Sequence, residues 1–169
     1  MVAQRRQRQV KRARPHMPGY GIVGPREGRG LLPWAWARKR FESSHNYWLA
    51  TITDGSRPHV MPVWGVWVGD AFFFSTGPSS RKARNLGREV RCVVTTEHAS
   101  EAVIVEGRAA LAKGRALLRV VLRRYKLKYG EEYPPDSKVF QVRPDVVFGF
   151  IEDATEFAGA ATRWQFRYS

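Results

Sequence analysis

Cysteine is almost missing from this sequence, since Cys92 is the only one among 169 residues. A single thiol excludes an internal disulfide and is compatible with a reducing cytosol. Long apolar runs are missing too, and none approaches the roughly 18 to 20 residues that a membrane-spanning helix needs. No apolar segment follows the N-terminal charges, as it would in a signal peptide. We therefore expect a soluble, cytoplasmic protein in which Cys92 is a buried small hydrophobic residue.

Acidic residues are scarce, because 15 Asp and Glu face 29 Lys and Arg and leave a formal net charge of +14. Residues 1–16 hold six of the basic residues and no acidic one, which leaves +8 for the rest. This run has no periodic apolar face, so it is predicted to be a disordered basic arm. Alternatively, the true start codon encodes Met17. Residues 17–169 are predicted to form one domain, and a nucleic-acid partner is not expected once the arm is set aside.

The apolar pattern predicts a mainly β protein with a few helices. Helices are expected over 34–43, 81–88 and 115–129, and residues 58–68 are predicted as one long strand. Residues 139–142 and 146–151 are predicted as two separate strands. Because most strands follow one another as hairpins, we expect a small antiparallel barrel of six or seven strands and no parallel α/β sheet.

Hydroxyl and cationic side chains are concentrated where a predicted strand meets a predicted helix. They are Ser75, Thr76, Ser79, Ser80, Arg81, Lys82 and Arg84. Backbone N–H groups at a helix start and nearby Arg and Lys side chains together bind anions, phosphate above all. The Walker spacing of a P-loop is absent. The segment predicts a phosphate site, with a solvated basic helix as the alternative.

Other catalytic patterns are not found in the sequence. His16, His45 and His98 lack the clustered Cys, Asp or Glu of a zinc site, so no metal is predicted. There is no Gly-x-Ser-x-Gly elbow to support hydrolase chemistry. No acid–base residue stands out, and none is assigned as catalytic.

Several short segments carry a resemblance to a known family. They are 47–51 (YWLAT), 54–64 (DGSRPHVMPVW), 74–76 (FST), 80–86 (SRKARNL), 105–107 (VEG) and 162–164 (TRW). In this order and spacing, the chain from about Met17 onward resembles the pyridoxamine 5′-phosphate oxidase-like split β-barrel superfamily. The likeness is strongest to its branch of oxidoreductases that depend on a flavin or on the deazaflavin coenzyme F420.

The resemblance implies a homodimer that holds its cofactor between the two subunits. It implies that the strand from 59 to 64 runs along the cofactor ring and that Ser75 and Thr76 reach the sugar-alcohol chain or phosphate. Arg81 and Lys82 would then hold the phosphate. Residues 163–164 would complete the pocket from the partner chain. The implied cofactor-binding set is His59, Val60, Met61, Pro62, Val63, Trp64, Ser75, Thr76, Ser80, Arg81, Lys82, Arg84, Arg163 and Trp164.

The function implied by the resemblance is hydride transfer between coenzyme F420 and a small, unsaturated organic substrate. The basic domain favours F420, whose tail is an oligoglutamate. The alternatives are an FMN-dependent oxidoreductase of the oxidase type and a carrier that binds flavin or F420 without turnover. Ala102 stands where the oxidase proper has a glutamine, so oxidation of pyridoxamine phosphate itself is not expected.

Overall fold

Nine strands and four helices occupy residues 8–168, which are the residues that the computed structural model describes. The strands are β1 Arg8–Ala13, β2 Tyr47–Ile52, β3 Pro58–Val63, β4 Gly65–Val68, β5 Ala71–Thr76, β6 Arg91–Thr96, β7 Glu101–Leu111, β8 Lys138–Ile151 and β9 Thr162–Tyr168. The helices are α1 Trp34–Ser43, α2 Arg81–Arg88, α3 Arg115–Tyr129 and α4 Phe157–Ala160.

The sheet closes on itself through a strand that is split in two. The hydrogen-bonded order is β1-β9-β8-β7-β6-β2-β3, while β4, which follows β3, pairs with β5, and β5 pairs back to β8. All pairings are antiparallel. The prediction of a mainly β, antiparallel split barrel is confirmed, with nine strands in place of six or seven.

The predicted single strand over 58–68 is divided at Trp64. A Cβ on the next residue, Gly65, would overlap the Phe72 ring and the Phe73 carbonyl oxygen. Only a glycine therefore allows β4 to approach β5 this closely. The split separates a half of the strand that pairs with β2 from a half that pairs with β5.

Conversely, the two strands predicted over 139–142 and 146–151 form the single strand β8. Pro144 lies inside it, at a point where the register against β7 shifts between Glu106 and Gly107. Such a bulge accommodates a residue that lacks a backbone N–H. The length of β8 lets it pair with β5 along its first half and with β9 along its second.

Aromatic side chains fill the barrel. Phe72, Phe74 and Trp164 have no exposed surface, and the Trp34 ring packs edge-on against Trp164 at 5.7 Å between centroids. Cys92 is buried as expected, and burial raises the pKa of its thiol to about 12. Among residues 8–168, no helix has the length and apolar content to cross a membrane.

The predicted disordered arm over residues 1–16 is wrong for residues 8–13, which form β1 and pair with β9 from Arg8↔Tyr168 to Ala13↔Arg163. Just after β1, Arg14 donates hydrogen bonds to the carbonyls of Ala161 at 2.8 Å, Gly159 at 3.0 Å and Glu27 at 3.1 Å. Long-range contacts thus order a segment whose own composition predicts no regular structure. Residues 1–7 lie outside the described part of the chain, and a start at Met17 stays a prediction.

Candidate functional site

The predicted anion-binding segment is a preformed turn at the β5–α2 junction, where β5 ends at Thr76 and α2 begins at Arg81. Ser80 is the N-cap of α2, and its hydroxyl accepts a hydrogen bond from the Ala83 N–H at 3.2 Å. The Thr76 hydroxyl lies 2.9 Å from the same oxygen. The N–H groups of Arg81 and Lys82 belong to the first helical turn and have no intrahelical acceptor. The junction therefore combines open backbone donors with ordered hydroxyls.

Two cations flank these donors. Arg81 is exposed, Lys82 is half-buried, and neither forms an ion pair with a carboxylate of residues 8–168. Arg84 differs, because its guanidinium donates a hydrogen bond to the Ser79 carbonyl and so holds the turn together. Arg88, in the last turn of α2, pairs with Asp54 at 2.9 Å. Of the cations in α2, Arg81 and Lys82 thus remain available for an anionic ligand.

Side-chain direction separates the two predicted residues at the end of β5. Successive side chains of a strand point to opposite faces. Thr76 is buried and reaches Ser80, whereas the half-buried Ser75 lies on the other face, opposite Val139 of β8. The junction therefore uses Thr76, and Ser75 is not brought to it.

A buried hydrogen-bond chain connects α2 to β3. The Asn85 amide donates to the Thr51 hydroxyl at 2.9 Å, and the same hydroxyl lies 3.4 Å from Nδ1 of His59 and 3.3 Å from the His59 carbonyl oxygen. Neither Thr51 nor Asn85 was among the predicted site residues. A signal for Asn85 exists in the sequence, because asparagine is a poor helix former and stands inside the predicted helix. This chain fixes the helix start relative to the predicted ring-binding strand.

The strand β3 is an edge of the sheet. It pairs with β2 and with no other strand of residues 8–168, so its second edge leaves backbone groups open. Val60 and Met61 are exposed to 50% and 40%, while the side chain of Val63 is buried. Pro62 contributes no N–H. An extended planar ligand could bind along this edge mainly through backbone contacts.

The end of β3 is held rigid by aromatic stacking. The ring of Trp64 stacks on Tyr129 at 4.7 Å with an interplanar angle of 4°, and the indole N–H donates to Asn46 at 3.0 Å. The Tyr129 hydroxyl accepts the Gly65 N–H at 3.0 Å. The last turn of α3, which the sequence did not link to the site, thereby fixes the orientation of Trp64.

The two predicted residues near the C-terminus lie elsewhere. Trp164 is a core residue packed against Trp34 and Gly149, and it offers no surface to a ligand. The prediction that its side chain lines the pocket does not fit this placement. The cause is strand alternation, which turns Thr162, Trp164 and Phe166 inward.

Arg163 is half-buried and points to the outer face of the sheet, at the far end of a row of directly opposed residues. That row is Pro62, Trp48, Thr95, Ile104, Phe148 and Arg163. Five strand spacings separate its ends, about 24 Å along the sheet. Along the sheet, therefore, Arg163 lies five strands away from β3.

Solved structures share this architecture at low sequence identity. The conserved hypothetical protein Rv2991 from Mycobacterium tuberculosis superposes with a TM-score of 0.65 at 19% identity, over 73% of this chain and 87% of its own. HutZ, a heme storage protein from Vibrio cholerae, gives 0.54 at 18% identity, over 66% and 86%. A structure described as an F420 reductase gives 0.52 at 19%, over 65% and 94%. These likenesses show the fold alone.

Two sequence comparisons bear on the family of this chain. No curated protein matches the chain. A family model, described as pyridoxamine 5′-phosphate oxidase, matches residues 35–150. The match covers more than half of the chain and contains β3, the β5–α2 junction and the Thr51–Asn85 connection between them. This chain belongs to the pyridoxamine 5′-phosphate oxidase family.

Proposed function

We propose that the protein is an oxidoreductase that uses coenzyme F420 for hydride transfer to or from an unsaturated organic substrate. The observation that carries this proposal is the Thr51–Asn85 hydrogen bond, which fixes an anion-binding helix start beside an open strand edge. A phosphorylated, planar cofactor needs both features at once. FMN is the alternative ligand of the same site.

The residues present fit such a cofactor. Two hydroxyls, two first-turn N–H groups and two unpaired cations form a donor set suited to a phosphate group. The open edge of β3 offers backbone donors and acceptors to the polar edge of a ring. When bound, the cofactor supplies the hydride chemistry. Arg81 and Lys82 would hold its phosphate, and β3 would orient its ring.

Charge favours F420 over FMN. Residues 17–169 carry a net charge of +8. Such an excess attracts an oligoglutamate tail more strongly than it attracts a single phosphate. One solved relative in fold is described as an F420 reductase, which is consistent with this preference.

A second copy of the chain is part of the proposal. The outer face of the sheet is apolar around Trp48, which is exposed to 47%, and Val60 and Ile52 extend it. Arg163 and Pro62 mark opposite ends of one row on that face. A two-fold axis across the face would bring the arginine of each subunit toward β3 of the other. A homodimer would thus complete a pocket that one chain leaves open.

The test is a titration of the purified protein with F420, FMN and hemin, followed by fluorescence and absorbance. Hemin is included because one solved relative in fold is described as a heme storage protein. Arg81→Ala and Lys82→Ala should each weaken F420 or FMN binding about ten-fold or more, since a charge-assisted hydrogen bond is worth roughly 1.5 to 3 kcal/mol. Arg88→Ala is the matched control, because Arg88 lies in the same helix but is paired with Asp54.

The proposal fails if neither F420 nor FMN binds in the micromolar range, or if Arg81→Ala and Lys82→Ala behave like Arg88→Ala. Binding without turnover would instead support the carrier alternative. To separate these, the reduced cofactor is mixed with the protein and a panel of unsaturated acceptors. An enzyme must oxidise the cofactor faster than the same acceptors do without protein.

A further inference from the structure

A second concave site lies between α1, the β4–β5 turn and α3. It has a volume of about 290 Å³, just below the range of roughly 300 to 1,000 Å³ for small-molecule pockets. None of the predicted cofactor-binding residues lines it. Its lining consists of Arg38, Glu42, Val66, Trp67, Val68, Gly69, Val120, Arg124, Leu127 and Lys128. We call it the α1–α3 groove.

The groove and the β5–α2 junction lie at opposite ends of β5. Gly69, in the turn before β5, lines the groove, whereas Thr76 at the other end of β5 belongs to the junction. Six strand residues, from Ala71 to Thr76, span about 17 Å. A ligand in the groove would therefore be separate from the phosphate of a cofactor at the junction.

Lys128 is fixed at the edge of this groove. Its ammonium group donates hydrogen bonds to the Tyr47 hydroxyl at 2.7 Å and to the Gly65 carbonyl at 3.3 Å. It also lies 4.7 Å from the centre of the Tyr47 ring. An ammonium group has three N–H donors, so these two bonds leave one for a ligand. Lys128 is half-buried and forms no ion pair with a carboxylate of residues 8–168.

The surrounding charges do not neutralise this ammonium. On α1, Arg38 and Glu42 pair with each other at 2.7 Å. After β6, Glu97 accepts hydrogen bonds from the backbone N–H groups of His45 at 2.7 Å and Asn46 at 3.2 Å.

On α3, Arg124 forms no ion pair with a carboxylate of the described chain, and the neighbouring Tyr129 hydroxyl bonds to backbone groups. The groove thus presents two uncompensated cations, Lys128 and Arg124. A half-buried, unpaired charge is costly, and a bound anion would offset that cost.

The remaining walls are apolar. Trp67 forms part of the lining, and Val120 and Leu127 stand at the rim, with Leu127 exposed to 74%. A ligand that fits must therefore combine an anionic group with an apolar body. We propose that the α1–α3 groove binds a small organic anion, with its carboxylate or phosphate against Lys128 and Arg124 and its apolar part against Trp67, Val120 and Leu127.

Anion binding in this groove should depend on pH in a defined direction. Burial lowers the pKa of Lys128 to about 8, and the more distant charges of Glu97 and Glu42 oppose the shift only in part. An anion binds the protonated form, so binding raises the pKa of Lys128. The affinity for a carboxylate should be nearly constant between about pH 6 and pH 7 and should fall about ten-fold between pH 7 and pH 9, as the ammonium loses its proton.

Isothermal titration calorimetry with benzoate, phenyl phosphate and the neutral benzyl alcohol tests the proposal. We expect benzoate or phenyl phosphate to bind more tightly than benzyl alcohol, and the stronger of the two identifies the anionic group. Lys128→Met should weaken the binding at least ten-fold and abolish its dependence on pH. Lys126→Met is the matched control, because Lys126 lies on the same helix but pairs with Glu132 at 2.7 Å, and it should change affinity less than two-fold.

Three results would overturn the proposal: no saturable binding of either anion to wild-type protein, equal affinity for benzyl alcohol, or equal effects of the two lysine substitutions. The pH dependence of the wild-type protein keeps the test informative if Lys128→Met does not fold. Neither measurement requires F420 or FMN. The groove proposal and the proposed function can therefore fail separately.

Discussion

At the scale of single residues, the hydrogen bond between Asn85 and Thr51 fixes the start of α2 relative to β3, the two parts of the candidate site. Both side chains are almost fully buried, and His59 is the third group in contact. A buried polar pair of this kind contributes to position as well as to stability. Its loss would remove a buried hydrogen bond, and the Thr51 hydroxyl would keep only its contacts with His59.

We predict that Asn85→Ala lowers the free energy of unfolding by about 1 to 3 kcal/mol, because the buried hydrogen bond from the Asn85 amide to the Thr51 hydroxyl is lost. Urea denaturation measures this change. F420 or FMN affinity should also fall in the folded variant, since α2 is no longer fixed to β3. The double variant Thr51→Val with Asn85→Ala serves as the comparison, and it should be no less stable than Asn85→Ala alone. Additive losses would contradict a direct interaction.

At the scale of secondary-structure elements, β1 shows how a charged segment becomes ordered. It pairs with β9, and Arg14, directly after it, ties the chain to carbonyl groups around α4. The guanidinium therefore donates hydrogen bonds to backbone carbonyls that would otherwise need water as a donor.

Arg14→Met should destabilise the protein by about 3 kcal/mol, because several hydrogen bonds from a charged donor are lost and their acceptors are partly buried. Thermal and urea unfolding measure the loss. Arg12→Met is a suitable control, since Arg12 is exposed and its contact with the Leu31 carbonyl is long, at 3.5 Å. Equal stabilities of the two variants would show that Arg14 is not a tether.

Local signals predicted some elements and not others. The bounds of α1, α2 and α3 match the prediction, because local signals mark them: Pro33 before α1, the Ser80 cap of α2 and Gly130 at the end of α3. The strand β1 could not be predicted this way, since its partner β9 lies about 150 residues away and half of its own residues are charged. The division at Trp64 depends on the close approach of Gly65 to Phe72 in the β4–β5 hairpin, which is a packing contact and not a propensity of the segment itself.

The residues of the candidate site also fall into those that local sequence signals predict and those that depend on packing. Ser80, Arg81 and Lys82 could be predicted, because a hydroxyl N-cap followed by cations is a contiguous signal. The burial of Trp164 and the opposite direction of Ser75 depend on which face of each strand turns inward. Those faces are set by packing across the barrel, and the motifs themselves do not contain that information.

At the scale of the whole molecule, the apolar outer face of the sheet leads to a prediction about assembly. Trp48 is the most exposed apolar residue of β2 and is paired with Pro62 on β3. If this face meets a second copy, Trp48→Glu should convert a dimer to a monomer, because an unpaired charge would be buried at the interface. Light scattering coupled to size-exclusion chromatography measures the mass.

A matched control for this prediction is Leu111→Glu, since Leu111 is equally exposed, at 47%, but lies at the far end of β7. It should leave the mass unchanged. A monomeric wild-type protein, or the same mass for both variants, would contradict the proposed homodimer. The Trp48→Glu variant should also bind F420 or FMN more weakly if the partner chain completes the pocket.

The seam between β3 and β4 has a mechanical consequence. The Gly65 N–H is accepted by the Tyr129 hydroxyl, and the Gly65 carbonyl accepts a hydrogen bond from Lys128. Both side chains lie in the last turn of α3. Gly65, where β3 passes into β4, is therefore held by a helix as well as by strand pairing. The position of β3 relative to β4 therefore depends on the last turn of α3 as well as on the pairing of the sheet.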